Sequence, residues 1–253
     1  METRCFGLLM WLWLFCCPLP AQSQDLRIVT AEYAPFALLD GALPDGFCVS
    51  IVREIQQRVG NRSAIEVFPW ARAYRLAGAG PGVLLVCPER TPWRESYLKW
   101  VGPVYASRTR LYARSSNSPA IRTLDDASRL TGILVPRESH AMEFLHGVGF
   151  TNVEAVASAK TMLRMLMAGR RPAMLIEERQ LAALLRDEHV DPGQLVPVYT
   201  AFTAAVYLGF SAQTPDEEVR RWDLALLAMK ADGTFAQIYR KWFAEAPPRE
   251  LLH

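Results

Sequence analysis

The sequence predicts an α/β protein of two lobes, and three observations carry that prediction. Short apolar runs alternate with stretches of helical period; the β-α order stops at a polar break, Ser115-Ser116-Asn117-Ser118-Pro119, and starts again beyond it; and the connections between the two units are short, which sets the lobes side by side with a cleft between them. A chain of 253 residues with 51% hydrophobic and 21% charged residues can bury a full core and is long enough for two such units.

Leu26 to Ala31 is a β-rich run that empties into an aromatic loop at Tyr33, Pro35 and Phe36, so a first strand is predicted there. Asp40-Gly41 and Pro44-Asp45-Gly46 mark turns, after which Val49, Val52, Ile55, Gln56 and Val59 recur at helical spacing until Gly60-Asn61 stops the helix. Ile65 to Phe68 reads as a second strand, Ala71 to Ala77 as a short helix, and Val83 to Cys87 as an apolar third strand. Strands alternating with helices imply a mainly parallel sheet covered on both faces. In the second unit Leu124 to Leu130 is helical, Gly132 to Val135 a strand, Ala141 to His146 a helix and Val153 to Val156 a strand. Ser158 caps a helix that carries Met162, Leu163, Met165 and Leu166 and ends at Gly169. Met174 to Ile176 is a strand, Gln180 to Arg186 a helix and Val196 to Tyr199 a short strand. Pro215 to Phe243 is one amphipathic region broken at Asp232-Gly233.

The amino terminus reads as a secretory signal peptide over residues 1–23. Arg4 precedes an apolar stretch from Phe6 to Cys17, and Pro18-Leu19-Pro20 leads to the small-residue site Ala21-Gln22-Ser23. The stretch is shorter than the roughly 20 apolar residues that span a bilayer. Large residues at Leu14-Phe15 speak against lipid attachment at Cys16 or Cys17. Cleavage removes Cys5, Cys16 and Cys17 and leaves Cys48 and Cys87, which in an oxidising compartment form either a disulfide or two separate buried thiols. Two cysteines and four scattered histidines have no metal-ligand spacing, and a net charge of +2 with mixed signs excludes a nucleic-acid footprint. A periplasmic location follows from the leader.

Three stretches, Phe68-Pro69-Trp70-Ala71-Arg72-Ala73, Arg90-Thr91-Pro92-Trp93-Arg94-Glu95 and Lys99-Trp100-Val101-Gly102-Pro103, together with Met229 to Phe243 at the carboxyl end, resemble the extracellular solute-binding proteins of family 3. The resemblance spans essentially all of the mature chain. It implies a type II periplasmic-binding-protein-like architecture, two α/β lobes joined by two hinge crossings about a central ligand cleft. The first lobe is then residues 24–105 plus 208–253 and the second 106–207.

The resemblance also implies site residues. Arg94 is the expected partner of a ligand carboxylate, because the family uses the arginine of this motif so and a planar guanidinium fits a carboxylate with two parallel hydrogen bonds. Thr91 stands beside it as a hydroxyl donor. Tyr33 and Trp70 follow strands at the carboxyl edge of the sheet, where an aromatic side chain either stacks on ligand or packs on the lobe; Phe36 is expected to pack in the core. Arg137 and Ser139 lie between a strand and a helix of the second lobe, where many relatives have a glycine and this chain has Pro136 and Glu138. Glu177 falls where amino-acid-binding members place an aspartate for the ligand's ammonium group. Glu89 occupies a cleft segment in which relatives often carry small hydroxyl residues, and it would receive a cation or pair with Arg90 or Arg94. A Cys48 to Cys87 bridge would stiffen that wall.

The function expected is capture of a small polar metabolite, an amino acid or related carboxylate, by a monomer that needs no cofactor and delivers its ligand to the permease subunits of an ABC transporter. Two alternatives remain: a ligand-presenting partner of a membrane receptor, and an enzyme similar to cyclohexadienyl dehydratases with Glu89 or Glu177 as the acid. No Ser-His-Asp, Cys-His or metal constellation favours catalysis.

Overall fold

A computed structural model describes residues 26–252. The expected signal peptide, its cleavage site and Cys5, Cys16 and Cys17 lie outside the described residues.

Strand β1 (Arg27–Thr30) is followed by a small hairpin, β2 (Leu38–Asp40) and β3 (Leu43–Asp45), turning at Asp40-Gly41. Helix α1 (Phe47–Val59) starts directly after Gly46, where φ is 125° and a Cβ would stand 2.5 Å from the Phe36 carbonyl oxygen, so only glycine fits. It ends at Gly60 in the left-handed conformation, as Gly60-Asn61 foretells. Then come β4 (Ile65–Val67), α2 (Trp70–Gly78) and β5 (Val83–Leu85). Both β4 and β5 pair with β1 in parallel.

The chain leaves this first lobe on β6 (Leu98–Arg114) and enters a second set of elements: α3 (Leu124–Ser128), β7 (Ile133–Pro136), α4 (His140–Gly147), β8 (Val153–Val156), α5 (Ala159–Met167), β9 (Ala173–Glu177) and α6 (Glu178–Asp187). It returns on β10 (Leu195–Ser211) and closes with α7 (Asp216–Ala231) and α8 (Thr234–Phe243). The helix starts are locally encoded: Thr123 and Asp126 form a reciprocal capping box on α3, and the Ser139 and Ser158 hydroxyls accept the third backbone N–H of α4 and α5.

All main strands form one eight-stranded sheet in the order β4-β1-β5-β10-β6-β9-β7-β8. The sheet as a whole is mixed, while β4, β1 and β5 of the first unit are parallel as its β-α order leads one to expect. Each lobe contributes parallel strands through its β-α-β crossovers, but the chain exits on β6 and comes back on β10 in the opposite direction. Those two 17-residue strands pair antiparallel from Leu98 opposite Ser211 to Arg114 opposite Leu195. The short strand expected at Val196 to Tyr199 is one end of β10.

Both faces of each lobe are covered. In the first, α1, α7 and α8 bury Phe47, Ile51, Trp222, Met229 and Phe235 against one face, while α2 covers Val29, Val83 and Leu85 on the other. In the second, α5 and α6 pack Met162, Leu166 and Leu181 on Leu134 and Met174, and α3 and α4 pack Ala127 and Leu145 on Ile133 and Leu175. Burying a large aliphatic or aromatic side chain contributes about 1.5–3 kcal/mol, so each lobe has a core of its own. No described helix is long and apolar enough to cross a membrane.

Candidate functional site

The parallel strands of both lobes point their carboxyl ends at one cavity of about 570 Å³. Its walls come from the loop after β1, the segments after β4 and β5, the β7–α4 and β8–α5 turns, the end of β9, and Tyr105, Ser107, Thr109 and Val206 on the crossing strands. This is where open α/β sheets bind ligands, because the side chains of successive loops converge there.

The first-lobe wall is aromatic. Tyr33 lies edge-on to Trp70 with ring centroids 6.3 Å apart, and Phe36 packs at 5.6 Å from Tyr33 and 4.8 Å from Tyr105. Phe36 therefore does both jobs, buried among core aromatics and lining the cavity. The Tyr33 hydroxyl donates to the carbonyls of Val86 and Cys87, and burial pushes its pKa well above the ordinary tyrosine value, so it stays protonated. Cys87 has a positive φ of 56° and is joined by a disulfide to Cys48 at the start of α1, which ties the β5 exit to a helix.

Glu89 reaches into the cavity from this wall and crosses to the second lobe. One carboxylate oxygen lies 2.9 Å from Nδ1 of His140, and the other accepts from the Ser107 hydroxyl at 2.5 Å. Burial acts to raise its pKa, but the hydrogen bonds and charge of His140, helped by Ser107 and Arg94, outweigh it and hold the carboxyl below its ordinary range. Arg94 is 1% exposed, and its guanidinium is already engaged. Nη2 and Nε donate to Glu143 of α4 at 2.9 and 3.3 Å, Nη1 donates to the Glu89 carbonyl at 3.0 Å, and the rings of Trp70 and Tyr74 lie 5.7 and 5.1 Å away. Glu143 itself is absent from the residues lining the cavity and reaches Arg94 from outside.

The second-lobe wall carries Ser139, His140, Glu177 and Gln180. Ser139 lines the cavity and also caps α4, donating its proton to the Pro136 carbonyl. Glu177 ends β9 and caps α6: one oxygen accepts from the Gln180 backbone N–H at 2.8 Å and the other from the Tyr105 hydroxyl at 3.0 Å. Burial raises its pKa to about 7 against those hydrogen bonds, and the charge of Glu89 adds to the rise. Trp70 of the first lobe donates from its indole to the Glu138 carbonyl at 2.9 Å, which closes the rim across the cleft.

Of the residues singled out from sequence, Tyr33, Trp70, Glu89, Arg94, Ser139 and Glu177 meet around the cavity. Thr91 and Arg137 do not line it. Thr91 is buried with its hydroxyl 3.4 Å from Glu143, behind Arg94, and the Arg137 backbone is paired with Val156 at the edge strand β8. Arg90, offered as a partner of Glu89, pairs with Glu95 instead. Sequence reasoning missed His140, Glu143, Tyr105, Ser107, Thr109 and Gln180. For Ser107 and Thr109 an alternation of small hydroxyl residues with Arg108 and Arg110 was the available signal; for His140 and Glu143, one helical turn apart, nothing in the chain points across the cleft. Among the described residues no group of three or more His, Cys, Asp or Glu is placed to hold a metal ion.

The chain matches the sequence profile of the bacterial extracellular solute-binding proteins, family 3, over residues 26–245. No curated protein sequence matches it. Among solved structures, a histidine kinase sensor domain with similarity to periplasmic binding proteins superposes with a TM-score of 0.80 at 19% identity, covering 88% of this chain and 98% of that one. An ancestral arginine-binding protein bound to arginine gives 0.76 at 18% identity, covering 87% and 99%. The arginine-, lysine-, histidine-binding protein of the thermophilic bacterium Geobacillus stearothermophilus gives 0.73 at 16%, covering 90% and 99%. Likeness at this level of identity establishes a shared type II periplasmic-binding fold, and the profile match over nearly all described residues settles the family: the chain is a member of family 3 of the bacterial extracellular solute-binding proteins.

Proposed function

We propose that the chain captures a small polar metabolite in the periplasm by closing its two lobes on the central cavity, and presents the closed form to the permease subunits of an ABC transporter without chemically altering the ligand. The observation that carries this reading is the cavity itself, enclosed by strand ends of both lobes and bridged by pairs whose partners lie on opposite sides, Glu89 with His140 and Trp70 with Glu138. The lobes divide at 24–105 plus 208–253 and 106–207, and the register irregularity in β10 between Val206 and Leu208 supports a hinge at that level.

Binding is tested by a thermal-shift screen of amines, amino acids, small carboxylates and neutral sugars, because a ligand that binds only the native state raises stability by RT ln(1 + [L]/Kd). Small-angle scattering then reports closure. Deleting the gene removes uptake of the identified ligand if the transport reading holds. The sensor-domain likeness favours a second reading, in which the liganded protein docks on a membrane receptor; uptake then persists in the deletion strain while the signalling response to the ligand is lost. Turnover of prephenate or arogenate by the purified protein replaces both with the dehydratase reading.

A further inference from the structure

The expectation of a ligand carboxylate rests on Arg94, and in the structure that guanidinium already holds a carboxylate of the protein. Glu143 sits on the guanidinium at 2.9 and 3.3 Å, the Glu89 carbonyl takes Nη1, and the side chain is 1% exposed. An incoming anion would have to expel Glu143 and leave that acid half-buried without its partner. The remaining charged groups lining the cavity are Glu32, Glu89, Glu177 and His140, and His140 is engaged with Glu89. The cavity therefore presents three carboxyl groups, of which Glu89 is paired with His140, and no unpaired cation. The rings of Tyr33, Phe36, Trp70 and Tyr105 line the same cavity, and the negative face of an aromatic ring attracts an organic cation and repels a carboxylate.

We propose that the cleft takes a small organic ammonium ion lacking a carboxylate, its cationic head drawn to Glu89 and Glu177 and its apolar body laid against the Tyr33, Phe36, Trp70 and Tyr105 wall. Glu143 is the specificity-determining residue: it acts as a built-in substitute for the ligand carboxylate, satisfying Arg94 so that an amino acid gains nothing from its acid group. Glu177 offers two lone pairs beyond those used by Tyr105 and Gln180, and Ser107, Thr109 and Ser139 supply hydroxyl groups for a polar head. This inference deepens the solute-binding reading and rests on it.

The test uses matched pairs that differ by the carboxylate: tyramine with tyrosine, agmatine with arginine, cadaverine with lysine and tetramethylammonium with glycine betaine, titrated into the purified protein by calorimetry and followed by thermal shift. At least one amine is expected to bind ten or more times tighter than its carboxylate-bearing partner. Glu177→Gln should weaken that amine tenfold or more while the unliganded variant still melts cooperatively. Glu143→Ala, which frees Arg94, should narrow the gap by tightening the carboxylate-bearing partner. The inference is overturned if the carboxylate-bearing member of each pair binds as tightly as the amine or tighter, or if no amine binds. Amino-acid binding alone leaves the solute-binding reading standing, whereas a protein that responds to no amine, amino acid, carboxylate or sugar overturns both.

Discussion

Two of the acids that line the cavity, Glu89 on the first-lobe wall and Glu177 on the second, are both removed from bulk water, yet their surroundings drive them in opposite directions. Glu89 meets an imidazole, a hydroxyl and the charge of Arg94, and is held below its ordinary range. Glu177 meets a backbone N–H and a phenol, neither of which carries a full positive charge, and burial lifts it to about 7. Burial alone thus decides nothing about an acid's charge; the presence of a cation within hydrogen-bond reach does. The walls differ covalently too, since the Glu89 segment is tied through Cys87 to α1 while the Glu177 segment is held by hydrogen bonds.

The largest effect that tests this contrast concerns the covalent tie. Replacing Cys48 and Cys87 together by Ala releases a bridge between positions 39 residues apart, which by loop-closure entropy should lower stability by about 4 kcal/mol. Urea unfolding measures it, and a loss under 1 kcal/mol would show that the wall is held by packing. Next, His140→Ala removes the imidazole paired with Glu89 and should cost about 2 kcal/mol, the usual penalty for a buried group deprived of its partner. The Glu89 carboxyl, observed by NMR, should titrate higher in that variant than in the native protein.

The last effect is a change of slope. Because the Glu177 carboxyl is raised from 4.5 to about 7, the folded state binds more protons than the unfolded one between those values. Stability should therefore fall as pH rises from about 4.5 to about 7 and level off above. Glu89 has the opposite sign: its contribution is fully present above the unfolded carboxylate pKa and disappears as pH falls through the lower folded value. Glu177→Gln should flatten the slope between about 4.5 and 7 and leave the acid limb in place. Chemical denaturation across that range reads both, and an unchanged slope in the variant would assign the titration to another group.

Much of the fold is legible because its elements bury one kind of surface. Val83 to Leu85 and Ile133 to Val135 are apolar without interruption, since both faces of the central strands are covered, and Ser158 announces α5 through its cap. The crossing strands were the hardest to read. β6 alternates buried residues with Arg108 and Arg110, β10 exposes Thr200 and Thr203 among half-buried residues, and over much of their length the two strands depend on each other rather than on a helix. The site followed the same rule. Tyr33, Trp70, Glu89, Arg94 and Glu177 adjoin strand ends or a recognisable motif, so position along the chain suffices to nominate them. The partners that decide their charge, His140 and Glu143, lie 51 and 49 residues from the groups they touch and meet them only when the lobes face each other.

The ladder between β6 and β10 keeps one direction from lobe to lobe, with register slips, and its pairing skips one step, where Gly102 to Val104 of β6 and Tyr207 of β10 have no partner in the register. Under the proposed closure, such a ladder would bend at its unpaired step, as a leaf spring does at its thinnest point, while the pairing on either side of that step holds. Amide hydrogens in the paired parts of the ladder should then exchange at the same slow rate with and without ligand, while the loops around Tyr33 and His140 change theirs.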